Sequence, residues 1–313
     1  MKVLHRLSAT TGHRRFAFVF AAGLLCAGCA QARVTCQVQN TTTPTNPFTI
    51  TSNVEPFGST VHTRTTLSVT CQRDDNRSSV DIEIGASNTK GGTSPRKAIL
   101  TTNPDWGIGY ALAHGGECAS NTAASNWFDY GMGPPYTYKA TVTFNGSNAS
   151  LNVPVCLTVG HSNNVSYRTG AYQDSVHFTL AYQEWLVMPH VTTSVSMLYR
   201  VNVSGGCRIS QTPNDLTLVY PAFGGTANSA STTLGLTCNP ELPWSASLDS
   251  ASGMATPLGL PYQLSLSASH GAGMGYQQGI AITATIPRGL AGVCPSSQCQ
   301  QSTPNRHTLT ISY

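Results

Sequence analysis

The fold is decided by the stretch VTTSVSMLYRVNVSGGC, which runs from Val191 to Cys207. Its odd positions up to Val203 are apolar apart from one threonine, and its even positions are polar apart from Leu198. A period of two is typical of a β-strand with one buried face. This long strand lies between two similar halves and is available to complete the sheet of the first. The sequence ends at Tyr313 with no comparable strand after the second half.

The first 32 residues are predicted to be a secretory signal peptide. Basic residues precede an apolar run from Phe16 to Ala27, and Ala30-Gln31-Ala32 forms a cleavage site that would leave Arg33 first. The apolar run is too short to span a bilayer. We therefore expect the chain to be exported.

A lipid anchor is the alternative to cleavage at that site. Ala27-Gly28-Cys29 partly fits the motif for lipid attachment at Cys29. Cys26 stands in front of this triplet, where a leucine is usual, so we disfavour a lipoprotein.

Composition bounds the class of protein. The 313 residues allow about two domains, and the low charged content of 10% suits an extracellular β protein. The signal contains four of the 17 Lys and Arg residues and no acid, which leaves 13 bases against 13 acids. A chain without net charge gives no reason to expect nucleic acid as a partner.

Eight of the ten cysteines lie beyond the signal, four in each half. They are Cys36, Cys71, Cys118, Cys156, Cys207, Cys238, Cys294 and Cys299. An even count in an exported chain predicts disulfides. Four cysteines allow three pairings in each half, of which we favour 36–71, 118–156, 207–238 and 294–299. Their spacing is not that of a metal site, and we expect no metal or other cofactor.

The two halves share a short sequence motif. Glu55-Pro56-Phe57-Gly58 precedes TTLSVTC, which ends at Cys71, and Pro221-Ala222-Phe223-Gly224 precedes TTLGLTC, which ends at Cys238. In each half a turn feeds an alternating strand that ends in T-C. Short strands that recur about every 8–12 residues, with turns between them, predict an all-β protein of two tandem β-sandwiches.

A late strand in the first half makes a family resemblance specific. Gly170, Tyr172, Asp174, Val176 and Thr179 form a Gly-x-Tyr-x-Asp-x-Val-x-x-Thr motif. Together with the cysteine-led strand and the F-G turn, it resembles the spore coat protein U domain family, the pilin module of archaic (Csu-type) chaperone–usher pili. The second half keeps only the strand part of this motif.

The resemblance implies immunoglobulin-like sandwiches in which the last strand is missing and a neighbouring subunit lends it, which is donor-strand complementation. We expect domain one, residues 33–203, to be closed by its own strand 191–203, and domain two, residues 204–313, to lack its last strand. The predicted cis donor residues are Val191, Val195, Met197, Tyr199, Val201 and Val203. The predicted donor-accepting strand carries Leu309, Ile311 and Tyr313.

A subunit that accepts a strand and lends none belongs at the end of a fibre. Only Arg33-Val34-Thr35 would precede Cys36 after cleavage, which is too short for a donor segment. The resemblance then implies the two-domain tip adhesin of a pilus, or fimbria, with roles in cell adhesion and biofilm formation. Its expected partners are a periplasmic chaperone, an outer-membrane usher, an adjacent pilin subunit, and an abiotic or host surface.

Apolar loops are the predicted surface-binding elements. They lie at non-strand positions rich in aromatic residues, and similar loops grip hydrophobic surfaces in the family's tip adhesins. The residues are Trp106, Trp127, Phe128, Tyr130, Met132, Trp185, Leu186, Val187 and Met188. The competing interpretation is that these side chains cover the ends of the sandwich or fill its core.

Three other functions compete with the tip adhesin. An enzyme is disfavoured because the sequence contains no G-x-S-x-G, H-E-x-x-H or P-loop motif, and no catalytic residue is proposed. A structural coat or biofilm-matrix protein would use the same two domains without assembling a pilus. A carbohydrate-binding tip lectin would use the loop aromatic residues to stack on sugars.

Overall fold

The computed structural model describes residues 33–41, 45–74, 76–88, 96–114, 137–160, 167–183, 191–256, 258–293 and 305–313. Across these ranges the chain forms eighteen β-strands and no helix. The prediction of an all-β protein is confirmed, and the strands fall into several sheets.

The first ten strands form one connected sheet system, here called the first unit. They are β1 (Val34–Asn40), β2 (Phe48–Val54), β3 (Val61–Arg73), β4 (Ser79–Asn88), β5 (Arg96–Leu100), β6 (Gly107–His114), β7 (Tyr138–Thr143), β8 (Asn148–Val159), β9 (Gly170–Tyr182) and β10 (Val191–Val203). Their order is β1-β3-β8-β6-β5-β9-β10-β2, with β4 pairing β9 and β7.

The last eight strands form two smaller sheets, here called the second unit. They are β11 (Cys207–Gln211), β12 (Asn228–Cys238), β13 (Pro243–Leu248), β14 (Ser252–Ala255), β15 (Leu260–Leu266), β16 (His270–Ala272), β17 (Gln278–Ile286) and β18 (Leu309–Ser312). One sheet has the order β11-β12-β17-β15-β14, and the other has the order β16-β13-β18. In the described ranges no strand ladder joins the second unit to the first.

Alternation along the strands builds the cores. In β9, Val176, Phe178 and Leu180 are fully buried, and the residues between them are partly exposed. The first unit has one large core that runs through its sheets. The second unit has two separate and smaller clusters, one around Trp244 and one around Tyr262. The second unit therefore buries far less apolar surface than the first, and hydrophobic stabilisation scales with that area.

Candidate functional site

The two units can be matched through their disulfides. Cys36 is bonded to Cys71 and Cys207 to Cys238, as predicted. In each unit the two cysteines lie directly opposite each other in the ladder between the first strand and the next long strand. Val38 opposite Val69 therefore corresponds to Ile209 opposite Leu236.

The F-G turn gives a second, independent match. Phe57 and Phe223 have positive φ angles of 62° and 54°, a conformation that is uncommon for a bulky residue. The following glycine amides close the same turn: Gly58 N donates to Glu55 O at 3.1 Å, and Gly224 N donates to Pro221 O at 3.0 Å. The segment before one turn thus corresponds residue by residue to the segment before the other. Ser52 of β2 matches Leu218.

In the first unit, β10 lies between two strands. It pairs antiparallel with β9 along its whole length, from Val191 opposite Tyr182 to Val203 opposite Gly170. It also pairs parallel with β2, where Met197 is opposite Phe48. Both backbone edges of β10 are therefore used within its own chain. The inward side chains from Val195 to Val203 are buried.

Tyr199 shows how β10 is held. Its ring lies 4.7 Å from the ring of Tyr110, and its hydroxyl forms a 2.7 Å hydrogen bond with Ser52 Oγ. Ser52 Oγ in turn lies 2.5 Å from Thr63 Oγ1. A buried hydroxyl network of this kind is stabilising only when every member has a partner. Tyr199 and Ser52 therefore fix the register of β10 against β2.

In the second unit, no described strand occupies the position equivalent to that of β10. β18 pairs with β13 on one side, and no described strand pairs with its outer edge. Residues 212–220, which match β2, form no ladder although their burial alternates: Leu216, Leu218 and Tyr220 are partly buried and their neighbours are exposed. This segment has the side-chain pattern of a strand but pairs with no described strand. Side chains contact its backbone instead: Asn214 N donates to Thr232 Oγ1, and Asn228 Nδ2 donates to the Val219 carbonyl.

Matched positions differ sharply in exposure. Val38 of β1 is 7% exposed, whereas its counterpart Ile209 of β11 is 55% exposed. The late strands of the two halves end in the similar sequences HFTLAY, which finishes at Tyr182, and TLTISY, which finishes at Tyr313. Tyr182 is 4% exposed, whereas Tyr313 is 63% exposed. In the first unit β10 contacts both β1 and β9. The additional exposure in the second unit therefore falls where a strand like β10 would lie.

Exposed large apolar side chains follow the same division. Within the described ranges they all belong to the second unit: Ile209, Val219, Phe223, Met254, Met274, Tyr276, Val293 and Tyr313. We call the outer edge of β18, the edge of β11 and residues 212–220 together the acceptor edge.

Trp106 requires a correction. Its ring packs against the core of the first unit, and the Arg168 guanidinium lies 4.1 Å from the ring centroid. Arg168 also forms a salt bridge with Glu241 of the second unit. Trp106 is thus a half-buried residue at the junction of the two units, at the opposite end of β9 from Tyr182. We remove it from the proposed surface-binding set.

The other predicted surface residues lie outside the described residues. These are Trp127, Phe128, Tyr130, Met132, Trp185, Leu186, Val187 and Met188. The strands that flank them are described: β9 ends at Tyr182 and β10 begins at Val191, at the end of the first unit remote from the second. A loop between these two strands must start and finish at that remote end.

Close contacts join the two units at the near end. Gly206 N donates to Asn239 Oδ1 at 2.7 Å, and Asn239 Nδ2 donates to the Tyr167 carbonyl. The Arg208 guanidinium lies 4.7 Å from the Phe57 ring centroid. A side chain at position 206 would meet Pro56 at 2.6 Å, so only glycine permits this approach. Such contacts hold the second unit directly against the turn that follows β2.

The remaining cysteines are described only in part. Cys156 is disulfide-bonded, but its predicted partner Cys118 lies outside the described residues, as do Cys294 and Cys299. Over the described ranges, no group of three or more His, Cys, Asp or Glu side chains is placed to hold a metal ion. The same ranges contain no helix of the length and apolarity needed to cross a membrane.

The late motif of the first unit has structural roles. The Asp174 carboxylate accepts a 2.6 Å hydrogen bond from the Tyr110 hydroxyl, and the Tyr172 hydroxyl donates to the Arg168 carbonyl at 2.9 Å. Gly170 has a φ of 135°, where a non-glycine residue would be strained. Burial raises the pKa of the Tyr110 phenol, and the Asp174 carboxylate raises it further. The motif thus orders the start of β9.

Tyr199 gives a pH prediction for the first unit. Burial raises the pKa of its phenol from 10.0 to about 12, and the hydrogen bond from Ser52 opposes part of that shift. The unfolded chain ionises first, so this stabilisation is complete below pH 10 and is lost as pH rises towards 12. Between pH 9.5 and 11.5 the free energy of unfolding of the first unit should fall by about 2 kcal/mol more in wild type than in Tyr199→Phe.

Denaturant unfolding at the two pH values measures this difference. Tyr313→Phe is the matched control, because it removes an exposed phenol from the second unit. The control should follow the wild-type pH profile for the first unit. Identical profiles for wild type and Tyr199→Phe would mean that Tyr199 does not stay protonated in a buried seat.

Comparisons with known proteins find likeness only at the level of structure. No family model matches the sequence, and no curated protein matches it significantly. One similar structure is the CsuC–CsuE chaperone–tip adhesion subunit pre-assembly complex of Csu pili from Acinetobacter baumannii, at 11% identity over 89% of this chain and 100% of that chain, with a TM-score of 0.46. The CupB6 tip adhesin of Pseudomonas aeruginosa matches at 11% identity over 90% of this chain and 96% of that chain, with a TM-score of 0.37.

A single pilin also matches part of the chain. The CooA pilin subunit of enterotoxigenic Escherichia coli has 11% identity over 54% of this chain and 99% of that chain, with a TM-score of 0.37. Likenesses at this level do not assign a function.

Proposed function

We propose that the protein is a pilus adhesin subunit whose second unit accepts a β-strand from an adjacent pilin subunit. The single observation that supports this most strongly is the matched exposure: Val38 and Tyr182 are covered beside β10, whereas Ile209 and Tyr313 are uncovered. An incoming strand would pair with the free backbone of β18 and cover these apolar side chains, which is β-augmentation.

The location of β10 supports the proposal of a position at the tip of the fibre. This segment resembles the donor segments of the pilin family, yet it is seated between β9 and β2 of its own chain. Removing it to serve a neighbour would expose the core that Met197 and Tyr199 help to form. In this proposal the subunit accepts a strand and keeps its own, as a subunit at the end of the fibre would.

Surface attachment belongs to the first unit in this proposal. The 184–190 segment carries Trp185, Leu186, Val187 and Met188 and connects two strands at the end remote from the junction. In a tip subunit that end faces away from the fibre. The segment 115–136, with Trp127, Phe128, Tyr130 and Met132, would add to the same apolar surface. Export by way of the periplasm, with a chaperone and an usher, completes the proposal.

A chaperone is needed on physical grounds. An uncovered strand edge with apolar neighbours is a template for aggregation before assembly. In the second unit, β18, β11 and residues 212–220 together present such an edge. A periplasmic chaperone that lends a temporary strand would protect the subunit until the pilin replaces it at the usher.

Immunogold electron microscopy of the producing cells tests the proposed position. With antiserum raised against the purified chain, gold should cluster at one end of thin fibres. Labelling along the whole shaft, or in an amorphous coat or matrix without fibres, would instead support a structural protein. Polystyrene and glycan-coated beads in the same preparation separate the two adhesin alternatives. The labelled end should touch polystyrene, and contact restricted to glycan beads would favour the lectin.

A further inference from the structure

The surroundings of Tyr199 in the first unit differ from those of the equivalent position in the second unit. This difference bears on which strand the second unit accepts. In the first unit the Tyr199 hydroxyl is fully buried and is satisfied by Ser52, which is itself supported by Thr63. These hydroxyls form a small polar cluster among apolar side chains of the core. A tyrosine fits at this position because Ser52 Oγ lies within hydrogen-bond distance of its hydroxyl.

The counterparts of that polar cluster in the second unit are apolar. The F-G turn matches Ser52 to Leu218. Thr63 and Ala230 both lie eight residues before the second cysteine of their disulfide and therefore match each other. Leu218 is partly buried and packs against the cluster that contains Tyr262. Leu218 and Ala230 provide no hydroxyl.

The second unit retains the aromatic residue that contacts Tyr199 in the first unit. Counting along the ladders from the second cysteine of each disulfide, Thr158 of β8 corresponds to Thr285 of β17. Ala111 pairs with Thr158, and Gln263 pairs with Thr285. The residues just before them, Tyr110 and Tyr262, therefore correspond. The Tyr262 hydroxyl is already hydrogen-bonded to His307 Nε2 at 2.7 Å. Like the Tyr110 hydroxyl, which donates to Asp174, it already has a hydrogen-bond partner, and by register it corresponds to Tyr110 and not to Ser52.

We propose that the acceptor edge selects a donor strand with a side chain that lacks a hydroxyl, such as Phe, Leu, Ile or Val, at the position that Tyr199 occupies in β10. This inference rests on the proposed function and names the chemistry of its partner. A tyrosine there would bury a phenol without a hydrogen-bond partner, which is costly, whereas phenylalanine presents the same ring without that cost.

Two synthetic peptides test the selection. One has the sequence of β10, VTTSVSMLYRVNV, and the other carries Tyr199→Phe. Each is titrated into the full chain and its binding measured by fluorescence anisotropy. The phenylalanine peptide should bind roughly tenfold more tightly, which corresponds to about 1.4 kcal/mol. A Met197→Asp version of the peptide is the negative control, because its charge would enter the apolar seat.

A reciprocal variant excludes a general effect of peptide hydrophobicity. Leu218→Ser restores to the second unit the hydroxyl that Ser52 supplies in the first. In that variant the preference for phenylalanine should shrink or reverse, and the tyrosine peptide should gain affinity. An unchanged preference would show that hydrophobicity alone sets the affinity and would overturn the inference.

The outcomes separate this inference from the proposed function. Equal affinity of the two peptides, or tighter binding of the tyrosine peptide to the wild-type chain, overturns the selection and leaves an open acceptor edge. Failure of both peptides to bind overturns the open edge itself and the selection with it.

Discussion

Met197→Asp should unfold the first unit while the second unit keeps its own transition. Met197 is fully buried in the middle of β10, opposite Val176 on one side and Phe48 on the other. A carboxylate there would have no cation or hydrogen-bond donor supplied for it. An uncompensated buried charge costs about 3–5 kcal/mol, which is a large part of the stability of a typical domain.

Ser194→Asp is the matched control. It places the same charge on the same strand, but Ser194 is exposed on the outward face. A surface substitution of this kind should change stability by less than about 0.5 kcal/mol. Calorimetry gives the two transitions, and limited proteolysis with peptide mapping assigns each transition to a unit. If both variants behaved like wild type, β10 would not be part of the core of the first unit.

The sequence alone was sufficient to predict β10 and its inward face. Its alternation is nearly perfect, and the inward residues from Val195 to Val203 are buried as the pattern indicates. The Cys36–Cys71 and Cys207–Cys238 bridges were also predictable, because a cysteine ends the same T-C phrase in both halves. Local patterns repeated within one chain contained this information.

The parallel pairing of β10 with β2 could not be predicted. Ser52 places a hydroxyl on the inward face of β2, which obscures the apolar alternation of Phe48, Ile50 and Val54. That hydroxyl has a physical reason only once Tyr199, 147 residues away, supplies its hydrogen bond. A polar core position of this type is settled by tertiary structure, and sequence periodicity does not show it.

Trp106 shows the converse error. Flanked by proline, aspartate and glycine, it reads as an exposed loop tip. In the structure it lies beneath Arg168, which is bound to Glu241 across the junction. The cation–π contact and the salt bridge join three residues that are distant in sequence, and composition around Trp106 does not reveal them. Loop aromatic residues are therefore poor markers of a binding surface unless their neighbours are known.

The central claim is that β18 has a free outer edge, whereas β9, its counterpart, has none. Asp249 N donates to Thr308 O, and the antiparallel ladder alternates from there. The amides of Thr310 and Ser312 therefore point towards β13, and those of Leu309 and Ile311 point outward. β9 is bordered by β10 on one side and by β4 and β5 on the other.

Residue-resolved amide hydrogen exchange of the full chain, without any added peptide, tests that claim most directly. The amides in the middle of β9 should be protected by at least about 10³-fold, because they exchange only when the first unit opens. The amides of Leu309 and Ile311 should exchange at close to the rate of an unstructured peptide, and residues 215–220 should also be poorly protected. Protection of Leu309 and Ile311 equal to that of β9 would contradict the account, since it would mean that the second unit is already closed.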